Sequence, residues 1–357
     1  MLVQRVSLVG PFPPPVHGAA EVTRWIAEKL EPIVKIEKLP ISPADGCKGL
    51  RYHLSRIGRV ISAACALGVG RGPVYLSAAG GFGLGYNVLL AATARLFARP
   101  LFIHHHSFAY IDRPDPLARL MVRAAGPSAV HICLCNRMAR MLIERYGPSQ
   151  TIIVSNAAFY VADRNPLPTL VKRPLRIGHL GNLSIEKGLD VVIALVESLV
   201  QKGVPIQLML AGPASSERTS GLLRDARRKL GACLTEYGPL YGVEQKRYFE
   251  SIDLFVFPTR YINEAEPLVV FEAMSHGLPV IASDRGCIVE QVGGAGLIVR
   301  SDADFVEHAT ALIAAWTEDE DSFNIVRKHA HERFRSLHGT AEHQLADLLT
   351  RLHTAAL

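Results

Sequence analysis

Apolar runs of strand length alternate with segments of helical period along nearly the whole chain, and the alternation lapses once before it restarts. Such a pattern demands parallel strands joined by helical crossovers, because strands this apolar need cover on both faces; sandwiches and helical bundles are set aside. The first series reads strand VSLVG, helix 19–30, helix 53–68, strand VYLSA, helix 86–97, strand PLFIHHH, helix 114–125, strand VHICL, helix 136–146 and strand TIIVS. Around 158–174 it gives way to a polar, Pro-rich stretch that includes ADRNPLPTLVKRP. The second series runs RIGHLG, helix 188–202, strand IQLMLAG, helix 216–230, strand LTEYG, helix 243–251 and strand LFVFPT. Helix 267–276, strands PVIASD and GLIVR, and helices near 302–317 and 321–352 complete it. The expected architecture is α/β, with two tandem Rossmann-like domains, 1–160 and 175–335, facing across a cleft and joined by a linker at 161–174. Residues 336–357 are expected to return as a helix toward the first domain. Ligands of open parallel sheets bind beyond the carboxyl ends of the strands, which puts the chemistry in the cleft.

Charge is divided between the halves. Residues 1–165 hold 19 Lys+Arg and 9 Asp+Glu, giving +10, while residues 166–357 hold 20 and 24, giving −4. Dense basic runs with interleaved aromatics are missing, so no nucleic-acid partner is expected. A basic face toward an acidic ligand or membrane remains. The N-terminal residues show no secretory pattern and no apolar run is long enough to span a bilayer, so a cytoplasmic chain with six reduced cysteines is expected.

The most informative segment is EAEPLVVFEAMSHGLPVIASDRGCIVE, Glu264 to Glu290. Pro267 suits a first helical position and Gly277 a position just past the end, so this helix starts at the cleft. The free N–H groups of Leu268 and Val269 then point at whatever occupies it, a geometry that favours phosphate. Glu264 precedes the helix and Glu272 lies within it, spaced to serve different ends of one ligand. A carboxylate accepts from both hydroxyls of a ribose diol, which suits Glu272, and Glu264 is placed for sugar hydroxyls.

Glu264, Glu272, Gly277, Pro279 and Ser283, followed by Glu290, resemble the E-x7-E signature of the retaining glycosyltransferases of family 4. That resemblance implies the B-type glycosyltransferase fold, a nucleotide diphosphate sugar as donor, and no metal or other cofactor. It places Glu264 by the transferred sugar and Glu272 on the ribose. IGHLGNLSIEKGLD (177–190) is similar to the element that opens the second domain of such enzymes, which implies Lys187 on the donor diphosphate. Asn182 stands where the family commonly has an arginine, and Arg260 is a candidate to supply the missing charge. Glu266, where the family usually has an aromatic residue or Gln, is expected to face solvent.

GPFPPPVHGAAEV (10–22) resembles the loop after the family's first strand, with the amides of Gly18 and Ala19 over the diphosphate, Ala19 replacing a second glycine; His17 lines the acceptor site or is idle. Strand alternation sends His104 and His106 to one face and His105 to the other, so the triplet cannot converge on one metal ion. His106 best matches the family histidine that bonds the transferred sugar; His105 is the alternative, and packing a third. Segment 51–68 sets Arg51, Arg56 and Arg59 against Leu54, Ile57, Ile61 and Ala64. It reads either as an ordinary Rossmann helix with a solvated basic face or as an interfacial helix on anionic lipid, which adds peripheral contact with the inner face of the plasma membrane.

The resemblance implies a metal-independent, retaining hexosyl or other glycosyl transfer to an acceptor hydroxyl on a carbohydrate or lipid-linked glycan, in cell-surface polysaccharide or glycolipid synthesis. His106, Lys187 and Glu264 are its catalytic candidates. Gly18, Ala19, Asn182, Arg260, Pro267, Leu268, Val269 and Glu272 are its donor-binding candidates. The competing readings are a non-catalytic nucleotide-sugar binding subunit and a sugar-nucleotide epimerase of similar architecture.

Overall fold

The computed structural model describes residues 5–14, 17–43, 49–78, 80–160, 174–300 and 302–357. The chain divides into two compact units, Met1–Phe159 with Thr340–Leu357, and Tyr160–Gly339. Most of the expected linker, 161–173, lies outside the described residues.

The first unit runs β1 (Val6–Gly10), α1 (Gly18–Leu30), β2 (Ile36–Pro40), α2 (Gly49–Val69), β3 (Val74–Ala78), α3 (Gly83–Leu96) and β4 (Leu101–His105). It continues with α4 (Ala109–Asp112), α5 (Pro116–Ala125), β5 (Val130–Cys133), α6 (Asn136–Tyr146) and β6 (Gln150–Ile153). Its six parallel strands lie in the order β2-β1-β3-β4-β5-β6. β1, β3, β4 and β5 are buried throughout, as expected of strands covered on both faces. β2 was not expected: IEKLP sits at the sheet edge, only partly buried, and carries charge where an inner strand carries Val or Leu. The chain leaves β1 toward β2 on one side and resumes on its other side at β3, which opens a crevice beyond the carboxyl ends of those strands.

The second unit runs β7 (Leu175–Leu180), α7 (Leu189–Gln201), β8 (Ile206–Ala211), α8 (Glu217–Leu230), β9 (Leu234–Glu236), α9 (Gly242–Ser251) and β10 (Leu254–Phe257). Then come α10 (Leu268–Ser275), β11 (Val280–Ser283), α11 (Ile288–Val292), β12 (Gly296–Val299), α12 (Phe305–Glu318) and α13 (Glu320–Thr354). Its parallel order is β12-β11-β10-β7-β8-β9, so the topological reversal lies between β7 and β10. One side of the sheet is sealed by Leu189, Val192, Val196 and Leu199 of α7 with Ala309, Ile313 and Trp316 of α12. The short α4 and α11 escape sequence reading because a single turn has no period to detect. Cys65, Cys133 and Cys233 are free thiols.

Candidate functional site

In the second unit, the loops following β7 and β10 meet at the reversal point. Lys187 sits in the first of them. Its neighbour Gly188 has φ +83°, and a Cβ there would strike the Pro258 carbonyl just past β10, so only glycine lets the two loops close. The Lys187 N–H donates to Ser184 Oγ at 3.1 Å. Arg260 fastens the same turn from the other loop: its backbone N–H donates to Glu186 O at 2.7 Å, and its guanidinium to Ile185 O at 2.7 Å and to both Asp190 oxygens at 2.6 and 2.9 Å. Arg260 is thus engaged with a carboxylate and positions the Lys187 turn. Asn182 is exposed at the start of that loop.

The Lys187 ammonium lies 2.5 Å from Glu264 Oε2, and 5.5 and 5.0 Å from the ring centres of Phe257 and Tyr261. Thr259 Oγ1 donates to the same carboxylate oxygen at 3.1 Å. Glu264 is only 8% exposed, so this is a largely desolvated pair with its remaining Lys donors free to turn to an anion. The structure therefore joins two residues that the sequence reading assigned to different parts of a ligand.

The loop from Glu264 to Pro267 is held from behind. Cys287 N–H donates to Ala265 O at 2.7 Å, and at Gly286, φ +57°, a Cβ would collide with the Ala265 and Glu264 carbonyls. Glu266 is buried in this loop, contrary to the expectation that it faces solvent. Pro267 is the N-cap of α10, with ψ 126°, rather than its first helical residue, and it offers no side-chain cap. The N–H groups of Leu268 and Val269 have no carbonyl four residues back within the helix, so the helix start presents uncompensated donors. Within α10, Glu272 Oε2 accepts from Gln245 Nε2 of α9 at 2.6 Å. Burial pushes its carboxyl up to about 7, against the opposing pull of that hydrogen bond.

A pocket of about 400 Å³ lies at the carboxyl ends of β7, β8 and β9, lined by Leu183, Gly212, Pro213, Gly238 and Pro239 among others. Sequence reading missed it. The signal was present in the glycine and proline that follow each strand, AGP after β8 and YGP after β9.

In the first unit, His104 and His105 are packed away. Tyr75 Oη lies 2.7 Å from His104 Nδ1, and His105 makes contacts of 2.8 Å to Tyr110 Oη and 2.9 Å to His131 Nδ1. His106 lies beyond the last residue of β4, its ring 4.1 Å from that of His104. Its Nε2 is buried without a hydrogen-bond partner, and burial, with the nearby His17, pushes its pKa down to about 3. His106 is therefore a neutral imidazole with an open hydrogen-bonding atom. His17 caps α1, accepting from Ala20 N at 3.3 Å, so it is not idle. Gly18 and Ala19 form the first turn of that helix. Among the described residues no group of three or more His, Cys, Asp or Glu is arranged to hold a metal ion.

The chain shares its fold with HepE (Alr3699) of Anabaena, solved with UDP: TM-score 0.71, 17% identity, 98% of this chain and 100% of that one covered. The sucrose-phosphate synthase tll1590 of Thermosynechococcus elongatus gives 0.72, 16%, 99% and 100%. The α/β two-domain architecture is the B-type glycosyltransferase fold. Sulfoquinovosyl transferase SQD2 of Arabidopsis thaliana is 30% identical over 166 residues, 45% of this chain and 30% of that protein. The amylovoran biosynthesis glycosyltransferase AmsK of Erwinia amylovora is 27% identical over 200 residues, 50% of this chain and 46% of that protein. The chain thus spans less than half the length of these two curated relatives. Residues 174–315, which contain the Lys187–Glu264 pair, Arg260 and α10, match the family model of the glycosyl transferases group 1.

Proposed function

We propose that the protein is a retaining glycosyltransferase that moves a sugar from a nucleotide diphosphate sugar to an acceptor hydroxyl on a carbohydrate or lipid-linked glycan, in cell-surface polysaccharide or glycolipid synthesis. The observation that carries this reading is the meeting of Lys187, Glu264 and the uncapped start of α10 at the reversal point of the second sheet. A diphosphate there takes the Lys187 ammonium and the Leu268 and Val269 amides, Glu272 accepts the ribose hydroxyls, and the pocket beside Gly212 and Gly238 takes the base. The Gly18 and Ala19 amides of the first unit are assigned to the same diphosphate, and Asn182 to a hydrogen bond on it. As the glycosidic bond breaks, negative charge grows on the leaving diphosphate, where these donors stabilise it most.

Retention follows from front-face attack. Glu264 is tied to Lys187 and Thr259, which suits it to hold sugar hydroxyls more than to act as a free nucleophile, so a glycosyl-enzyme intermediate is disfavoured. The leaving diphosphate deprotonates the acceptor, and neutral His106 holds the transferred sugar. This reading assigns the diphosphate to protein donors and invokes no metal.

Incubation with a panel of nucleotide sugars, beginning with UDP-sugars, and with glycan acceptors should give an acceptor mass gain of one glycosyl unit, with the anomeric configuration of the donor kept. Lys187→Ala should lower turnover and Glu272→Ala should weaken donor binding. Donor binding without transfer to any acceptor would instead identify a binding subunit, and conversion of the donor without acceptor an epimerase.

A further inference from the structure

The carboxyl of Glu272 is held from a neighbouring helix. Gln245 of α9 donates from Nε2 to Glu272 Oε2 at 2.6 Å, and both residues are half-buried. This bond is half of a matched contact between α9 and α10. Phe249, four residues after Gln245, stacks on His276, four residues after Glu272, with ring centres 5.7 Å apart and an interplanar angle of 23°. Residues four apart share a helix face, so the two pairs lock one register between the helices. α9 is fixed to the sheet in turn, because Tyr248 Oη donates to Met209 O of β8 at 2.8 Å. His276 engages the Glu272 carbonyl through Nδ1 at 2.8 Å and its Nε2 has no partner, so the imidazole leaves the carboxyl to Gln245.

The two carboxyls of the site are handled in opposite ways. Lys187 cancels the charge of Glu264, whereas the neutral amide of Gln245 gives Glu272 one hydrogen bond and leaves its charge in place. With Oε2 occupied, Oε1 keeps its lone pairs for a ligand, and a carboxyl accepts from both hydroxyls of a diol only while it carries no proton. Burial works against that ionised form, and the Gln245 bond opposes burial. The charged groups nearby are committed elsewhere, exposed, or on flanking segments. Glu264 pairs with Lys187, and Glu244, Lys246 and Arg247 stand exposed on α9, while Glu266 lies in the loop before α10 and Glu290 on α11.

We propose that Gln245 is a positioning residue of the nucleotide site: its side-chain amide fixes one oxygen of Glu272 and leaves the other to accept the ribose hydroxyls of a nucleoside diphosphate. This rests on the assignment of Glu272 to the ribose. Gln245 acts wholly through Glu272, so its removal matters only where that carboxylate is present and able to ionise.

Calorimetric titration of the full chain with UDP and with GDP, using whichever the parent binds more tightly, tests it. Gln245→Met keeps the length of the side chain and removes the donor. It should weaken binding about fivefold or more at about pH 7 and about twofold or less at about pH 9, because losing a hydrogen bond to a charged group moves a carboxyl by about one to two pH units. In a Glu272→Ala background the same substitution should change affinity by less than about twofold, whereas a merely structural role would persist there. Gln245→Met should also melt cooperatively near the parent without ligand, which separates lost positioning from lost packing. An equal loss in the Glu272→Ala background, a loss that stays constant across pH, or no loss while Glu272→Ala itself weakens binding overturns the proposal alone. If Glu272→Ala leaves nucleotide affinity unchanged, the ribose assignment beneath it is overturned as well.

Discussion

Glu272 holds its proton to unusually high pH because its carboxyl is buried, and this makes its chemistry measurable. Its pKa in the fold, about 7, lies above the ordinary 4.5, so folding favours the protonated form and the carboxyl costs stability as pH rises from about 4.5 through 7. Glu272→Gln should therefore gain stability relative to the parent above pH 7 and show no gain below about 4.5, read from urea melts at several pH values. The same titration governs the donor: if the ionised carboxylate accepts the ribose hydroxyls, affinity should fall about tenfold per pH unit below 7, and the Gln variant should lose that dependence. Lys187 and Glu264 test a different link. Lys187→Ala strands a buried carboxylate and should cost about 3 kcal/mol, while Lys187→Ala/Glu264→Gln should recover part of it, a coupling that a double-mutant cycle in thermal melts reports. The sequence showed both residues as candidates through their motifs. Their pairing was illegible because they stand 77 positions apart and meet only through the order in which β7 and β10 lie side by side.

At the scale of elements, the site depends on two loop glycines more than on any helix. Gly188→Ala and Gly286→Ala each drive a Cβ into carbonyl oxygens at a positive φ, so each should lower the melting temperature and weaken donor binding by displacing Lys187 or Glu264. A chain whose nucleotide affinity survives both would show that these loops do not position the donor. β4 and β5 carry a separate burden. His104, His105, His106 and His131 are all held below the usual imidazole range by burial, so the fold keeps them neutral. The unfolded chain takes up their protons below about pH 6.5. Stability should then fall by about 1.4 kcal/mol per pH unit for each histidine between roughly pH 6.5 and the lowered pKa values, visible as a steep loss of melting temperature near pH 5. Alternation along PLFIHHHS made the division of the triplet legible, whereas the partners Tyr75, Tyr110 and His131 come from other elements and were not. The charged edge strand β2, and α2 with Leu54, Ile57 and Ile61 exposed while Val60, Ala63 and Leu67 are buried, were missed or misread for one reason. Apolar pattern reports which side chains avoid water in a generic fold, and it does not say which neighbour covers them.

The whole molecule is two charge territories and one shared helix. The +10 of the first half gathers over a stretch without carboxylates, while the −4 of the second half includes Glu264 and Glu272, so the net +6 describes neither surface. α13 runs Glu320–Thr354, and the division between the two units falls within it, at Gly339 and Thr340. Its last turns bury Ala341, Leu345, Leu348 and Leu352, and Gln344 Oε1 accepts from Ser155 N at 3.1 Å in the first unit. Three buried leucines at about 1.5–3 kcal/mol each represent a large share of the 5–15 kcal/mol that holds an ordinary domain together. Ending the chain after Gly339 should therefore unfold the first unit while the second, which keeps its own strands and helices, resists protease. Leu348→Ala, the milder lesion, should cost about 2–5 kcal/mol and make cleavage begin within residues 1–159. If the second unit were instead cut first in either variant, the last turns of α13 would not be what completes the first unit.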